Sequence, residues 1–291
     1  MREYLRPLRD FPRLLIAIPS SFVENDSLLE ASIKLGLIAR SAAIFRVEEI
    51  QIFRDHLDRN YRRNMILMKD ILSYMETPQY LRKRLFGIKK TLRYVGILPP
   101  LRTPHHPLVE DIKEGEYFFR EGVVVSSTKS GSYIDIGFER PIFIKEPLRK
   151  GSRCTLLVRL KGDIIETRLW TKDKIGIYWG YSIKTYDSLQ ELIKTHSEKT
   201  LKIATSKYGD LIMNVFDELS TELRRKKYVL VIFGSKRGLF EIAKSEGTIL
   251  RKLVDYVINT IPRQGVESIR SEEAVLATLS ILNILKYLKS S

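Results

Sequence analysis

Cysteine is nearly absent from this chain: Cys154 is the only one among 291 residues. An intrachain disulfide is therefore excluded, and this usage favours a reducing, cytoplasmic compartment. The Cys and His residues lack the spacing of a zinc site, so we predict no bound metal. No apolar run reaches the roughly 18 residues that a membrane-spanning helix needs. The opening segment "MREYLRPLRDFPR" also lacks the apolar stretch of a secretory signal.

Two common phosphate-binding loops are missing as well. The segment "VIFGSKRGL" (231–239) is an apolar stretch that runs into a Gly-Ser turn. It matches neither Gly-x-Gly-x-x-Gly nor Gly-x-x-x-x-Gly-Lys-Ser/Thr, which argues against a dehydrogenase or an ATPase. A strand that ends in such a turn is where open α/β sheets bind ligands. The alternative is a plain turn between a strand and a helix.

Positive charge is in excess. Fifty Lys and Arg residues stand against 35 Asp and Glu, which gives a formal charge of +15. Such a chain attracts polyanions, nucleic acid first and anionic membranes second, although some basic proteins read no specific partner. We predict that RNA phosphates contact the basic residues Arg82, Lys83, Arg84, Lys89, Lys90, Arg93, Lys150 and Arg153. The alternative for the run from Arg82 to Arg93 is a solvated helix end.

Hydrophobic periodicity predicts an α/β domain in two pieces, residues 1–97 and 188–291. "LLIAI" (14–18) and "EIQIF" (49–53) are typical of strands, and each precedes a segment with helical spacing. After residue 188 the same alternation returns and ends in a helix over 271–288, whose broad apolar surface fits either a buried helix or contact with a partner subunit. The class is therefore α/β, with strands and helices in alternation.

Residues 98–187 predict a different, inserted domain. Five β-rich pieces follow one another there: "EGVVVSS", "GSYIDIGF", "PIFI", "RCTLLVRL" and "GIYWGYSI". Five short strands favour a small closed barrel of the OB type, which would bind RNA. Its aromatic side chains either stack on bases or fill the barrel core; they are Trp170, Tyr178, Trp179 and Tyr181.

A second strand end lies further along the chain, in "VINTIPRQG" (257–265). The helix that follows begins near Ser271, a natural N-cap residue. Glu272 and Glu273 occupy its first turn, where the helix dipole favours acids, so a capping role is the simplest interpretation of both. The N–H groups near Ser271 would suit a ligand carboxylate, and the apolar Ile261 would suit a flat base.

Several of these segments together carry a resemblance. "FGSKRGL" and "NTIPRQGVESIRSEEA", with the earlier "PQYLRKRLF", "TPHHP" and "GIYWGY", occur in one order along the chain. The set, which begins at "IAIPSSF", resembles the SPOUT class of RNA methyltransferases over nearly the whole length. More narrowly it is similar to the archaeal and eukaryotic branch of RNA uridine-N3 methyltransferases.

The resemblance implies a trefoil knot near the end of the α/β domain, a rare exception to the rule against knotted chains. It also implies a homodimer with the active site at the subunit boundary, and S-adenosylmethionine as the cofactor. Three loops would hold that cofactor: 233–238, 259–264 and 265–271. The residues implied to bind it are Phe233, Gly234, Ser235, Gly238, Asn259, Thr260, Ile261, Pro262, Gln264, Gly265, Ile269 and Ser271.

Methyl transfer to a pyrimidine nitrogen requires alignment, loss of a proton and stabilisation of the negative charge that develops on the base. Arg237 is the first candidate for that stabilisation, with Arg270 and Arg263 second; the alternative for Arg237 is a surface or phosphate-binding arginine. Glu267 and Glu272 are candidate proton acceptors, and water is the alternative.

Two functional hypotheses from different classes follow. The first is an enzyme that methylates uridine in ribosomal or other structured RNA, with guanine N1 or a ribose hydroxyl as alternative target atoms. The second is an RNA-binding scaffold for ribosome assembly that keeps the fold without catalysis. Both strand-end loops and the segment 265–273 have an unbroken motif, which favours the enzyme.

Overall fold

The computed structural model describes residues 7–107, 112–162 and 164–287. Its chain divides into two compact units. The described residues of the first, here called the parallel-sheet unit, are 10–73, 91–99 and 181–287. Those of the second, the antiparallel-sheet unit, are 7–9, 74–90, 100–107, 112–162 and 164–180.

Six strands, numbered in chain order with the rest of the molecule, form the first unit's sheet: β1 (Arg13–Pro19), β2 (Val47–Phe53), β8 (Ser182–Tyr186), β9 (Thr200–Leu211), β10 (Tyr228–Ile232) and β11 (Tyr256–Asn259). All neighbouring pairs are parallel, in the order β11-β9-β10-β1-β2-β8. The carboxyl ends of all six strands therefore lie along one edge, where open α/β sheets place their ligands.

Helices cover this sheet on both faces. Every residue of β1 from Leu14 to Ile18 is buried, although successive side chains point to opposite faces. The helices that begin in this unit are α1 (Leu28–Ile44), α2 (Tyr61–Glu76), α4 (Leu189–Lys194), α5 (Phe216–Arg225), α6 (Gly238–Ser245), α7 (Leu250–Leu253) and α8 (Ser271–Tyr287). Helices α4, α6 and α7 share one apolar cluster with the strands, while α8 packs against α1 and α5.

The first helix begins where its sequence dictates. Ser27 is the N-cap of α1, and its hydroxyl accepts a hydrogen bond from the backbone N–H of Glu30 at 3.2 Å. The Glu30 carboxylate in turn accepts from the backbone N–H of Ser27 at 2.8 Å, which completes a capping box. These hydrogen bonds hold the pKa of Glu30 below its usual value.

The antiparallel-sheet unit contains α3 (Gln79–Leu85) and five strands: β3 (Tyr117–Thr128), β4 (Gly131–Asp135), β5 (Ile142–Ile144), β6 (Arg153–Lys161) and β7 (Ile164–Trp170). The strand order is β5-β4-β3-β6-β7, and every pair is antiparallel. Its core consists of Val124, Ile134, Ile136, Ile144, Leu156 and Val158. The curved sheet encloses this core much as a barrel does, although the described residues form no ladder between the edge strands β5 and β7.

One predicted strand of this unit is wrong. "GIYWGYSI" is not the fifth strand; β7 is, and it pairs with β6 from Thr155↔Trp170 to Lys161↔Ile164. Strand β7 is mostly half-buried or exposed, so its sequence alternates weakly and does not stand out. In "GIYWGYSI" the β-like composition has another cause, because Tyr178, Trp179 and Tyr181 are buried core residues.

The unit boundaries also differ from the predicted insertion of residues 98–187. Residues 74–90 group with the antiparallel-sheet unit, although they precede the proline-rich segment that marks the predicted boundary. At the other end, residues 182–186 form β8, whose parallel pairing with β2 places them in the first unit. The predicted last residue of the final helix, Leu288, lies outside the described residues.

Buried charges organise the antiparallel-sheet unit. Arg153 forms ion pairs with two buried carboxylates, Glu76 and Glu121, the latter at 3.0 Å. The indole N–H of Trp179 and the hydroxyl of Thr155 each donate to Glu121 at 2.6 Å. Burial alone would raise the pKa of Glu76, but Arg153 and His105 outweigh it and lower that pKa to about 2. Paired and hydrogen-bonded in this way, the charges are tolerated in the interior.

Histidine 106 should make the folded state sensitive to acid. Its ring Nε2 lies 2.6 Å from the backbone carbonyl of Glu76, so this nitrogen carries a proton and donates. Burial, and next the neighbouring His105, lower its pKa from the ordinary 6.5 to about 3. Between pH 6.5 and 3 the unfolded chain therefore binds a proton at His106 that the native state does not bind. We expect the unfolding free energy to fall by up to about 1.4 kcal/mol per pH unit between pH 6.5 and 3, and to lose nothing from this group above pH 6.5.

Urea denaturation at a series of pH values measures this slope. In His106→Gln, which keeps an N–H donor but does not titrate, the decline below pH 6.5 should be shallower than in the unmodified protein. The matched control is His56→Gln, because His56 is exposed. An equal slope in the unmodified protein and in His106→Gln would contradict the assignment.

Candidate functional site

The turn after β10 is tight and well positioned. Phe233 is buried, and its N–H continues the strand pairing by donating to Ala17 O at 2.9 Å. At Gly234 an added Cβ would lie 3.1 Å from Leu239 N, closer than most side chains tolerate. Gly238 has φ +77°, a conformation that favours glycine. Glycine is thus favoured at 238 by the backbone conformation and at 234 by the closeness of Leu239.

The first residue of α8 is tied to this turn. Ser271 donates from Oγ to the carbonyl of Gly234 at 3.0 Å. Ser271 is thus the first helical residue rather than the predicted N-cap, and the Glu273 carboxylate accepts from the preceding backbone N–H, that of Arg270, at 3.0 Å. The Ser271–Gly234 hydrogen bond joins the loops 233–238 and 265–271.

The turn after β11 is joined to the same helix. Thr260 is buried, and its hydroxyl lies 2.8 Å from the hydroxyl of Thr278 on α8. Asn259 stabilises the turn, because its Oδ1 accepts from Ile261 N at 3.0 Å and its Nδ2 donates to Lys207 O at 3.1 Å. All three predicted loops therefore meet at the N-terminal half of α8.

The second and third loops are joined through Gln264. The side-chain amide of Gln264 donates to the carbonyls of Val266 at 2.8 Å and Glu267 at 3.0 Å. Ile261 and Ile269 are half-buried, and at Gly265 an added Cβ would meet nothing within 4 Å. These two loops thus combine partly exposed apolar side chains with open space beside the backbone.

Three residues of the sheet edge were missed by sequence reasoning. Ser21 follows β1 and Asp55 follows β2; the Ser21 hydroxyl donates to the Asp55 carboxylate and lies 2.7 Å from Ser235 Oγ. Ser20 completes the group, since its Oγ accepts from Asp55 N at 3.0 Å. Asp55 is fully buried. The signal was present, because both polar segments follow apolar strands whose carboxyl ends share an edge with β10.

The predicted catalytic side chains lie on the outer part of these loops. Arg237 pairs with Glu24 at 2.9 Å, and its side chain is 37% exposed. Glu24 follows the short helical turn 20–23 after β1 and was not predicted. Arg270 and Glu267 are exposed. The guanidinium of Arg237 is therefore held beside the turn after β10 by its ion pair with Glu24.

The predicted RNA-binding residues differ in their exposure and in their partners within the protein. Arg153 is occupied by its two buried carboxylates, so the structure removes it from the candidate surface. Arg84 pairs with Asp135 at 2.9 Å, and Arg82 donates from Nε to Thr77 O at 2.9 Å. The exposed members are Lys83, Arg84, Lys89, Lys90 and Lys150 in the antiparallel-sheet unit and Arg93 in the parallel-sheet unit.

Of the two interpretations of the aromatic candidates, the structure supports core filling for three of them. Tyr178, Trp179 and Tyr181 are buried and cannot stack on a base. The antiparallel sheet instead exposes Tyr133 and Phe143, a directly paired set on β4 and β5 whose ring centroids lie 5.1 Å apart. Their alternation with buried neighbours resembles any half-exposed strand, so the sequence did not mark them.

A cavity of about 620 Å³ lies elsewhere in the parallel-sheet unit. Its lining includes His56 after β2, Ser188 before α4 and Glu246 after α6. Glu246 accepts from the backbone N–H groups of Leu189 and Gln190 at 2.9 and 3.0 Å, so its carboxylate is committed to the start of α4. The cavity contains none of the predicted cofactor residues.

Within the residues that the structure describes, no group of three or more His, Cys, Asp or Glu side chains is arranged to hold a metal ion. Likewise, none of the described helices is both long enough and apolar enough to cross a bilayer.

Comparison with known proteins places the chain in a family. Residues 13–282 match the model of a family described as "Putative RNA methyltransferase". The chain belongs to this family. An uncharacterized protein of Halobacterium salinarum is 31% identical over 92% of this chain and 98% of its own length.

Two animal relatives carry the name 28S rRNA (uridine-N(3))-methyltransferase. The Drosophila melanogaster protein is 30% identical over 92% of this chain, which spans only 61% of that relative's length. The Mus musculus protein is 31% identical over 92% of this chain and 75% of its own length. The animal relatives therefore contain sequence that this chain does not match.

The hydroxyl pair that joins the turn after β11 to α8 should be stabilising only as a pair. Thr278→Val leaves the Thr260 hydroxyl buried without its partner, so the unfolding free energy should fall by about 1–3 kcal/mol. The double variant with Thr260→Val as well should recover most of the loss, since no polar group is then stranded. Urea denaturation measures both, and Thr185→Val on the exposed side of β8 is the control.

Proposed function

We propose that this chain is an S-adenosylmethionine-dependent methyltransferase that acts on N3 of a uridine in ribosomal RNA. The observation that supports this most is the meeting of three loops at α8, through the hydrogen bonds Ser271–Gly234 and Thr260–Thr278. Family membership supports RNA methylation, and the names of the animal relatives support the uridine atom. The competing proposal is a scaffold that binds RNA without catalysis.

The residues at the loops fit the cofactor. S-adenosylmethionine supplies a methyl group activated by a sulfonium sulfur. The half-buried Ile261 and Ile269 offer apolar contact to an adenine ring, and the N–H groups of the first turn of α8 suit a carboxylate. At Gly238 and Gly265 an added Cβ would meet no atom within 4 Å, so there is space for a ligand beside the backbone.

The proposal extends to the architecture. A trefoil knot is supported by the return of α8 to the turn after β10 through Ser271, past the later strand β11. An OB-like barrel is supported by the five-stranded antiparallel sheet. A homodimer is supported by apolar side chains exposed on the mutually packed helices α1 and α8, namely Leu29, Ile33, Leu37, Leu276 and Ile284.

Three side chains take roles in the proposed reaction. Arg237 stabilises negative charge on the pyrimidine, since its position beside the turn is fixed by Glu24 while a third of it stays exposed. Arg270 and Glu267 are both exposed on the third loop. Arg270 contacts the substrate RNA, and Glu267 is a candidate acceptor of the uridine N3 proton. One well-placed positive charge can have a large effect on the rate of such a transfer.

Substitution of Arg237 tests the enzyme proposal. Arg237→Ala should lower the single-turnover rate of methyl transfer to a ribosomal RNA fragment about 10²–10³-fold, the effect of removing one stabilising donor. Binding of S-adenosylmethionine, measured by calorimetry with ATP and NAD as negative controls, should stay unchanged. Nucleoside mass spectrometry identifies the methylated position.

The control is Arg225→Ala, because Arg225 also pairs with a glutamate, Glu222 at 3.1 Å, but lies at the end of α5. An unchanged rate in Arg237→Ala would remove this residue from the mechanism. Absence of both cofactor binding and methyl transfer in the unmodified protein would support the scaffold instead.

Exposed lysines should set the salt dependence of RNA binding. Lys83→Ala with Lys90→Ala removes two exposed cations, so the slope of log K against log salt should become shallower by about 1.4–1.8 for two lost phosphate contacts. Fluorescence anisotropy at several salt concentrations measures the slope. Lys252→Ala, on the short helix α7, is the control, and an unchanged slope in the double variant would place the RNA elsewhere.

A further inference from the structure

The group Asp55, Ser21 and Ser235 joins a buried carboxylate to the turn after β10. Asp55 is fully buried and Ser21 nearly so, while Ser235 is half-buried in the turn that also carries Arg237. The Ser21 oxygen lies between the other two, hydrogen-bonded to Asp55 Oδ2 and 2.7 Å from Ser235 Oγ. The three groups form one chain from the protein interior to the loop.

Hydrogen-bond chemistry gives this chain a direction. An ionised carboxylate only accepts, so the single proton of the Ser21 hydroxyl points to Asp55. The Ser235 hydroxyl must then donate its proton to Ser21. The lone pairs of Ser235 are left for a donor on the outer side of the turn, and an N–H group is such a donor.

Asp55 is a buried carboxylate held by hydrogen bonds. Its Oδ1 accepts from Leu57 N at 2.9 Å, and its own N–H donates to Ser20 at 3.0 Å. Among the described residues no Lys or Arg forms an ion pair with it; Arg237, on the same turn as Ser235, pairs with Glu24 instead. The chain of hydrogen bonds therefore ends at an oxygen acceptor whose partners are hydrogen-bond donors and not a cation.

We propose that Ser235, Ser21 and Asp55 form a relay that accepts the proton of the uridine N3–H group. This rests on the proposed function. N3 forms a bond to the methyl carbon as the carbon–sulfur bond of the sulfonium breaks and its electron pair goes to sulfur. The N3 proton passes to Ser235 Oγ, the Ser235 proton to Ser21 and the Ser21 proton to Asp55, which becomes a neutral acid. The charge then balances.

The relay offers an acceptor that the exposed Glu267 does not. Glu267 lies at the surface, where water competes for any proton that it receives. Ser235 lies in the turn that holds Arg237, so one short segment would provide both the positive charge and the path for the proton. A proton acceptor that is already hydrogen-bonded in position can take the N3 proton without a rearrangement of solvent.

Variants along the relay test it. Ser235→Ala and Asp55→Asn should each lower the single-turnover rate at neutral pH about 10²–10⁴-fold, the usual effect of losing a general base. Affinity of Asp55→Asn for S-adenosylmethionine, measured by calorimetry, should change less than about threefold, because Asp55 is not among the predicted cofactor residues. The deficit should shrink as the pH rises and N3–H ionises in water, because the acceptor is then no longer needed. Ser245→Ala, on the exposed end of α6, is the control.

The outcomes separate the alternatives. If both variants transfer the methyl group at the rate and with the pH profile of the unmodified protein, the relay is overturned. Methyl transfer by the unmodified protein would in that case still support the proposed function. A rate deficit of equal size at every pH, with weakened cofactor binding, would also overturn it, since the group would then only position the turn. If Asp55→Asn does not fold, as judged by circular dichroism, Ser235→Ala decides the question alone, because its side chain is only half-buried.

Discussion

Two hydrogen bonds to α8 organise the candidate site. Ser271 is hydrogen-bonded to the turn after β10, and Thr278 to the turn after β11. Both strand ends are therefore fixed in position relative to one helix, α8. Other hydrogen bonds shape each turn, but these two connect both turns to one helix. A helix of 17 residues that packs against α1 and α5 has few alternative positions. The positions of the candidate-site residues therefore depend on the packing of α8 in the core of the parallel-sheet unit.

The antiparallel-sheet unit depends on a different constraint. Its apolar core is small, and Glu76, Glu121 and Arg153 lie among side chains that could have been apolar. Buried ion pairs add little net stability, but removal of one partner is costly because it strands the other charge. These pairs therefore discriminate between arrangements of the chain: only one brings residues 76, 121 and 153 together. The same geometry explains why Arg153 is unsuited to bind RNA.

The sequence was informative where the physics is local. The strands β1 and β10 are continuous apolar runs, and α1 begins at a capping box, so these elements could be predicted within a few residues. The strand β7 could not, because half-exposed positions leave little alternation to detect. The aromatic segment 176–181 misled for the opposite reason: its side chains are buried by tertiary packing, which strand propensity imitates.

The candidate site divides along the same line. Gly234, Gly238 and Ser271 were identifiable because turns and helix starts restrict residue type locally. Asp55 and Ser21 were not, since 34 residues separate them and only the parallel register of β1 and β2 brings their strand ends together. A buried polar residue has no periodic signature; its meaning comes from its partners. Chemistry built from distant strand ends is thus visible only once the sheet order is known.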